Sequence, residues 1–270
     1  MWPLVILLVV LMHVLIVRGL PGNPSVEELS TVSWQFDGPL ELSPERGRFA
    51  LLYSLTEEHS LIFSLPVAKL AIPDLAINAA GEYVSLFAPA VSFLAVPGYL
   101  LGKLYGVAQV GAFAVISIFA LLNFVLIRSI ASRLGAEPWA ALLGALTFSL
   151  ATPAFPYAGT LYQHHVTVFL LLFTLWVLSR FRSVWSLAVV WFACTASVVI
   201  DNPNLFLMFP VGVFALLRLW ETIQIGEDTR GKAKKALTAV LTLVAFLPPL
   251  GFFVWYNQAA YHNPFQLPGT

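Results

Sequence analysis

Runs of apolar residues long enough to cross a bilayer recur through this chain, and they constrain its fold more than any other feature. Candidate spans cover residues 2–17, 107–127, 138–156, 165–180, 184–200, 205–220 and 236–256. These lengths are close to or within the ~17–25 residues a helix needs to traverse the hydrocarbon core. Of the 270 residues, 59% are hydrophobic and 10% charged, whereas soluble domains run nearer ~45–50% and ~25%. That balance excludes a soluble protein. With 14 Lys plus Arg against 14 Asp plus Glu, nothing points to nucleic acid as a partner. The single cysteine, Cys194, lies in an apolar run, so no disulfide framework or cysteine-based metal cluster is available, and it reads as a small core residue. The expected fold is an all-α integral membrane protein with about seven transmembrane helices, a single domain over 1–270.

The N-terminal stretch MWPLVILLVVLMHVLIVRGLPGNP lacks a basic leader and a small-residue cleavage site, so it reads as a retained first span. Trp2 falls near one interface and Arg18 near the other. The ambiguous apolar run is 87–101, which carries Pro89, Pro97 and Gly98. Read as a short bent surface helix rather than a span, it places the basic loops RSIASR, RFR and ETIQIGEDTRGKAKK on one side. That side is the cytoplasm by the positive-inside rule. The N-terminus is then cytoplasmic, the C-terminus external, and the protein is expected to be a multi-pass protein of the cell membrane.

This topology leaves residues 18–105 as one external loop and 107–256 as the membrane bundle. A loop of that length is functional or disordered as a rule, and its Leu, Phe, Tyr and Val content argues against disorder. Residues 46–63 read as an amphipathic helix that lies in the headgroup layer with its apolar face down. Three short external loops face it: TPAFPYAGTLYQHH at 152–165, DNPN at 201–204 and NQAAYHNPFQLPGT at 257–270. The carboxylates on this side are Asp37, Glu41, Glu45, Asp74, Glu82 and Asp201. Any one of them is more often a solvated surface group than a catalyst. Glu45 stands out because Arg46 and Arg48 flank it at a helix start. Those arginines suit a phosphate, lipid-linked or in a headgroup, since guanidinium offers planar paired donors. His164 and His165 are adjacent, so they point in different directions on a helix and make a poor metal pair. They serve as an interfacial cap or as a phosphate ligand. No HExxH, Walker loop, GxSxG or CxxC is present.

With these residues in view, the chain resembles the GT-C glycosyltransferase superfamily, in particular the branch of protein O-mannosyltransferases and aminoarabinose transferases. The resemblance follows chain order: one span, a loop opening with SPERGRF and SLTEEHSLIF, then DLAINAAGEYVSLFAPAVSFLAVPGYLLGKLYG. LIRSIASRLG, ALTFSLATPAFPYAGTLYQHHVTVFLLLFTLWVL and YHNPFQLPGT follow. The order and spacing of these stretches carry it more than any single one. It implies a polyprenyl-phosphate-linked sugar as donor, transferred on the external face to an acceptor that is protein, lipid or glycan. It also implies a loop carboxylate as general base. Glu45 stands where the family commonly has Asp or Asp-Glu, with Asp37 as second choice. Substrate contacts are expected from Arg46, Arg48, Asp74, Glu82, Tyr83, Tyr162, His164 and His165. No cofactor is specified by the residues, and a divalent metal is compatible with the family. Its members are usually longer, so an N-terminal portion is expected.

Two other readings remain open at this level. One is a non-catalytic membrane subunit on the same scaffold. The other is a lipid or small-molecule transporter, which usually carries ionisable residues inside its spans; His13 is the main such residue here.

Overall fold

The computed structural model describes residues 2–36, 38, 40, 43–224 and 229–266. Most of them are helical. In chain order the helices are α1 (Trp2–Ile16), α2 (Val26–Leu29), α3 (Val32–Phe36), α4 (Ser43–Tyr53), α5 (Leu65–Ala71), α6 (Ala90–Leu104) and α7 (Ala108–Arg133). They continue with α8 (Pro138–Leu150), α9 (Ala154–Tyr157), α10 (His164–Arg180), α11 (Ser186–Ile200), α12 (Asn204–Gln224), α13 (Thr229–Thr242) and α14 (Leu247–Tyr261). Three helical stretches are long and apolar enough to cross a membrane: Ala108–Arg133, Asn204–Glu221 and Ala236–Tyr261. The last runs through α13, a 3₁₀ turn and α14. Helices α1, α6, α8, α10 and α11 are apolar but shorter. Large exposed side chains such as Leu4, Leu7, Phe206, Phe209, Leu217 and Leu237 line the outside of this bundle. Contiguous apolar surface of this kind marks a membrane protein rather than a water-facing one.

The helices define two ends. At one end Arg133 donates to the Ser179 carbonyl and Arg218 to the Leu178 and Phe181 carbonyls, so cations cap the C-terminus of α10, where the helix dipole favours them. At the other end the last turns of α1, α11 and α14 meet the first turns of α10 and α12, and residues 18–36 and 43–89 fold over them. The largest buried cluster lies in this second region. It joins Leu29, Phe49, Leu51, Leu52, Val67, Leu70 and Val84 of the long loop to Tyr99, Phe113, Leu161, Ile200 and Tyr256. The loop is thus a packed layer with its own core.

Helix α4 shows this most clearly, and it departs from the expected surface helix. Residues 47–54 are buried on every side, and α4 continues as a π-helical turn over Ser54–Glu58 that closes at His59 in the left-handed conformation. The alternation of apolar and polar residues is real, but its polar positions meet protein partners instead of water. Ser54 bonds Glu58 and the Ser60 and Ile62 carbonyls, and Glu57 accepts from Tyr99 and Lys103.

The layer also holds the described residues' one departure from an all-α fold. Strands β1 (Leu75–Ile77) and β2 (Tyr83–Ser85) pair antiparallel, with Ala76 opposite Val84. Asn78 builds the turn between them: its side-chain oxygen accepts the Ala80 and Glu82 N–H groups, the local bonding that makes Asn a turn residue. The hairpin is tied to the end of α14 by Asn78 Nδ2 donating to the Ala260 carbonyl at 2.9 Å and by the Tyr261 hydroxyl donating to Ser85.

The run expected as a short bent surface helix is α6, which carries Pro97 inside it. It lies antiparallel along the first half of α7, with Gly98 against Gly111 and Gly102 against both Val107 and Gly111. Backbones this close leave no room for a Cβ: one added at Gly111 would strike the Gly98 carbonyl oxygen. Small residues at such crossings give close van der Waals contact where lipid cannot drive association. Gly111→Val is therefore expected to lower thermal stability in detergent by at least the ~1–3 kcal/mol of core overpacking. Gly144→Ala, where an added Cβ meets nothing within 4 Å, is expected to leave the melting temperature unchanged.

Candidate functional site

The site begins with Glu45, in the first turn of α4, a position the helix dipole favours for a carboxylate. It is 0% exposed. Its Oε1 accepts the Leu161 N–H at 2.9 Å, and its Oε2 pairs with Arg18 Nη1 at 3.3 Å. One buried carboxylate thus joins α4, the segment after α1 and the loop before α10. Both of its oxygens are engaged inside the protein, so Glu45 holds the site together and does not face a substrate.

One turn further along, Arg48 is 5% exposed. Its Nη2 donates to Gln163 Oε1 at 2.6 Å, and Gln163 Nε2 donates in turn to Asp201 Oδ2 at 3.0 Å. The guanidinium lies 5.0 Å from the Phe87 ring centroid and 5.5 Å from that of Tyr162, within cation–π range. Burial pulls its pKa down to about 10 against the attraction of Asp201, Tyr162 and Glu45, so it stays charged at neutral pH. Its Nε and Nη1 have no hydrogen-bond partner, and neither does the buried Tyr162 hydroxyl. Burial, reinforced by the nearby Glu45 carboxylate, raises that phenol to about 12, so it remains a donor. Buried polar groups are nearly always paired. Three unpaired ones in a single layer make it the candidate site.

The adjacent histidines separate as their spacing implies. His164 is exposed and stacks on Tyr162 at 5.6 Å, with Tyr157 edge-on at 4.8 Å. His165 is buried, with Nε2 on the Ala154 carbonyl at 2.7 Å and Nδ1 facing the Asn123 amide at 3.3 Å. It is a packing residue and leaves the site. Arg46 donates to the Ile72 carbonyl beyond α5. Asp74 lies near there, its carbonyl packed against Gly47. Tyr83 is in β2 and packs on the loop core. Glu82 accepts from Asn78 and lies 3.4 Å from His262, and these two neighbours hold its carboxyl below the ordinary range. These four belong to the framework around the hairpin and not to the Arg48 layer. Asp37 and Glu41 lie outside the described residues. The structure adds two residues that were not singled out as site residues, Arg18 and Gln163, and brings Asp201, one of the candidate carboxylates, to Arg48 through Gln163. Their one signal in the sequence was position, since each flanks an apolar run at the same end.

Directly beneath the layer runs an apolar groove of about 480 Å³ between α6, α7, α10, α11 and α14. Phe93, Phe119, Phe169, Leu170, Phe192 and Phe252 line it. Its upper edge is formed by Ala90, Val166 and Ile200, which follow Phe87, follow His164 and precede Asp201 within three residues. Polar layer and groove therefore share a border. Among the described residues, no three His, Cys, Asp or Glu side chains converge as a metal site. Around Arg48 the uncommitted carboxylate oxygen is that of Asp201, and the neighbouring guanidinium opposes a cation. Among the described residues, the layer offers no ligand set for a divalent ion.

No family model, curated protein or solved structure matches the chain.

Removing one member of a buried ion pair costs ~3–5 kcal/mol, and less where a partner is partly solvated, as Arg18 is at 22% exposure. Glu45→Gln is accordingly expected to lower the melting temperature by several degrees. Glu82→Gln, on the exposed hairpin, should change stability by no more than ~0.5 kcal/mol. Equal melting curves for the two variants would contradict the organising role of Glu45.

Proposed function

We propose that this protein binds a polyprenyl-phosphate-linked sugar and transfers the sugar to an acceptor. The single observation that carries the reading is Arg48, a desolvated guanidinium whose Nε and Nη1 have no hydrogen-bond partner, in a layer whose sequence neighbours Ala90, Val166 and Ile200 line an apolar groove. An anionic phosphate on a long apolar chain is complementary to both parts at once. The phosphate meets the open donors, where low dielectric strengthens charge-assisted hydrogen bonds, and the chain fills the groove. The resemblance to GT-C glycosyltransferases supplies the sugar. In the proposed topology the chain has seven spans in the cell membrane, with a cytoplasmic N-terminus and the Arg48 layer facing outward. The cationic caps at the opposite end fit that orientation.

In the reaction the acceptor hydroxyl oxygen forms a bond to the anomeric carbon as the bond from that carbon to the phosphate oxygen breaks. Polyprenyl phosphate leaves, and Arg48 with the Tyr162 hydroxyl stabilises its growing charge, the electrostatic part of catalysis. The acceptor proton passes to Asp201 Oδ1, since Oδ2 is held by Gln163. This assigns the base to Asp201 in place of Glu45, whose oxygens are committed. A second reading, binding without transfer, has one observation in its favour: the Asp201 carboxylate is itself half engaged by Gln163.

The test compares undecaprenyl phosphate with undecaprenol, by native mass spectrometry of the protein released from nanodiscs. The phosphate should bind at least tenfold tighter, and Arg48→Ala should remove that preference. Equal binding of the two lipids would overturn the reading. Asp201→Asn should keep phosphate binding and abolish transfer from a panel of polyprenyl-phosphate sugars. If the unmodified protein binds the lipid but transfers from none of the panel, the binding-only reading holds.

A further inference from the structure

A second cavity, distinct from the apolar groove, lies over the turn between α6 and α7. It holds about 130 Å³ and is lined by Leu20–Pro24, Glu28, Trp34 and Gln109. It shares no lining residue with the apolar groove. Hydrogen bonds pin the lining segment in place. Leu20 N–H donates to Gln109 Oε1 at 2.8 Å, Gly22 N–H to the Gly106 carbonyl at 2.6 Å, and Asn23 Nδ2 to the Lys103 carbonyl at 3.1 Å. The pocket is therefore preformed.

Its chemistry is specific. Gln109 is 1% exposed, and its Nε2 has no partner although its Oε1 is used. A buried amide donor left open costs ~1–3 kcal/mol, so a ligand acceptor is the complement it lacks. Glu28 uses Oε2 to hold the Ser25 N–H and keeps a second oxygen without a protein partner. Trp34 is half-buried and fixed by stacking on Phe49 at 6.2 Å and 21°. One donor, one acceptor and a rigid aromatic wall are the contacts that a ring with hydroxyls on its edge and C–H groups on its face can satisfy together.

We propose that this cavity is a binding subsite for a single neutral pyranose ring, with the hydroxyls bridging Gln109 and Glu28 and the ring face against Trp34. The volume corresponds to about four waters in the liquid, on the order of one sugar ring. This inference does not rest on the reading of Arg48.

The test is saturation-transfer NMR on the protein in lipid nanodiscs, so that no glycoside detergent competes. The probes are methyl α-D-glucopyranoside, methyl α-D-mannopyranoside and methyl α-D-galactopyranoside, with 1,2-cyclohexanediol as the control. At least one pyranoside should show transfer well above the control. Gln109→Glu keeps the oxygen that holds Leu20 and removes the open donor, and it should weaken binding about tenfold. Glu28→Gln, an exposed change that preserves the cap on α2, should weaken it several-fold. Glu82→Gln, on the hairpin, should leave it unchanged. No transfer from any pyranoside would show a water-filled void and overturn the proposal, as would undiminished binding in both Gln109→Glu and Glu28→Gln.

Discussion

A guanidinium that is 5% exposed must be compensated by its surroundings, and much of this structure is arranged to do that. Arg48 keeps its charge because Gln163 accepts one donor, Asp201 stands behind Gln163, and the Phe87 and Tyr162 rings offer their faces. Those groups come from three separate parts of the chain, all distant in sequence from Arg48. Holding them together requires the loop before α10 to be fixed against α4, and Glu45 does this by taking the Leu161 N–H while pairing with Arg18. The compensation is incomplete. Two nitrogens remain without a hydrogen-bond partner, and residues close in sequence to their neighbours, Ala90, Val166 and Ile200, line an apolar groove.

The same logic explains why the long loop is the best-packed part of the molecule. Helices that face lipid gain little from burying apolar surface against one another. In the layer over their ends the hydrophobic effect operates, and there the largest buried cluster forms around Phe49, Leu52, Val84 and Tyr99. The layer is rigid because it has a core, and rigidity is what a preformed site on irregular structure requires. The apolar helices contribute the groove, and the layer contributes the charges near its edge.

Much of the scaffold was legible in the sequence. Apolar runs appear as helices at nearly the expected places: the run at 165–180 is α10, and the one at 184–200 is α11. The different fates of His164 and His165 follow from helix geometry alone. What was not legible depends on partners far along the chain. The pattern of residues 46–63 looks amphipathic whether its polar side meets water or protein, and only the fold reveals that Glu57 meets Lys103 and Ser54 meets Ile62. Glu45 looked like an accessible base because its partner Leu161 N–H is a backbone group, to which the sequence gives no signal. Asp201 and Gln163 were visible as loop residues at the correct end. Their convergence on Arg48 is set by how α10 and α11 pack.

The central claim is that the open edge of Arg48 and the groove beneath it accept one amphiphile, phosphate above and chain below. A cryo-EM structure of the protein in nanodiscs with undecaprenyl phosphate tests this most directly. The account predicts phosphate density within hydrogen-bonding distance of Arg48 Nε or Nη1, continuous with chain density along Phe93, Phe169 and Phe252. Phosphate bound elsewhere, with Arg48 bonded only to water and the groove holding an ordinary bilayer acyl chain, would contradict it.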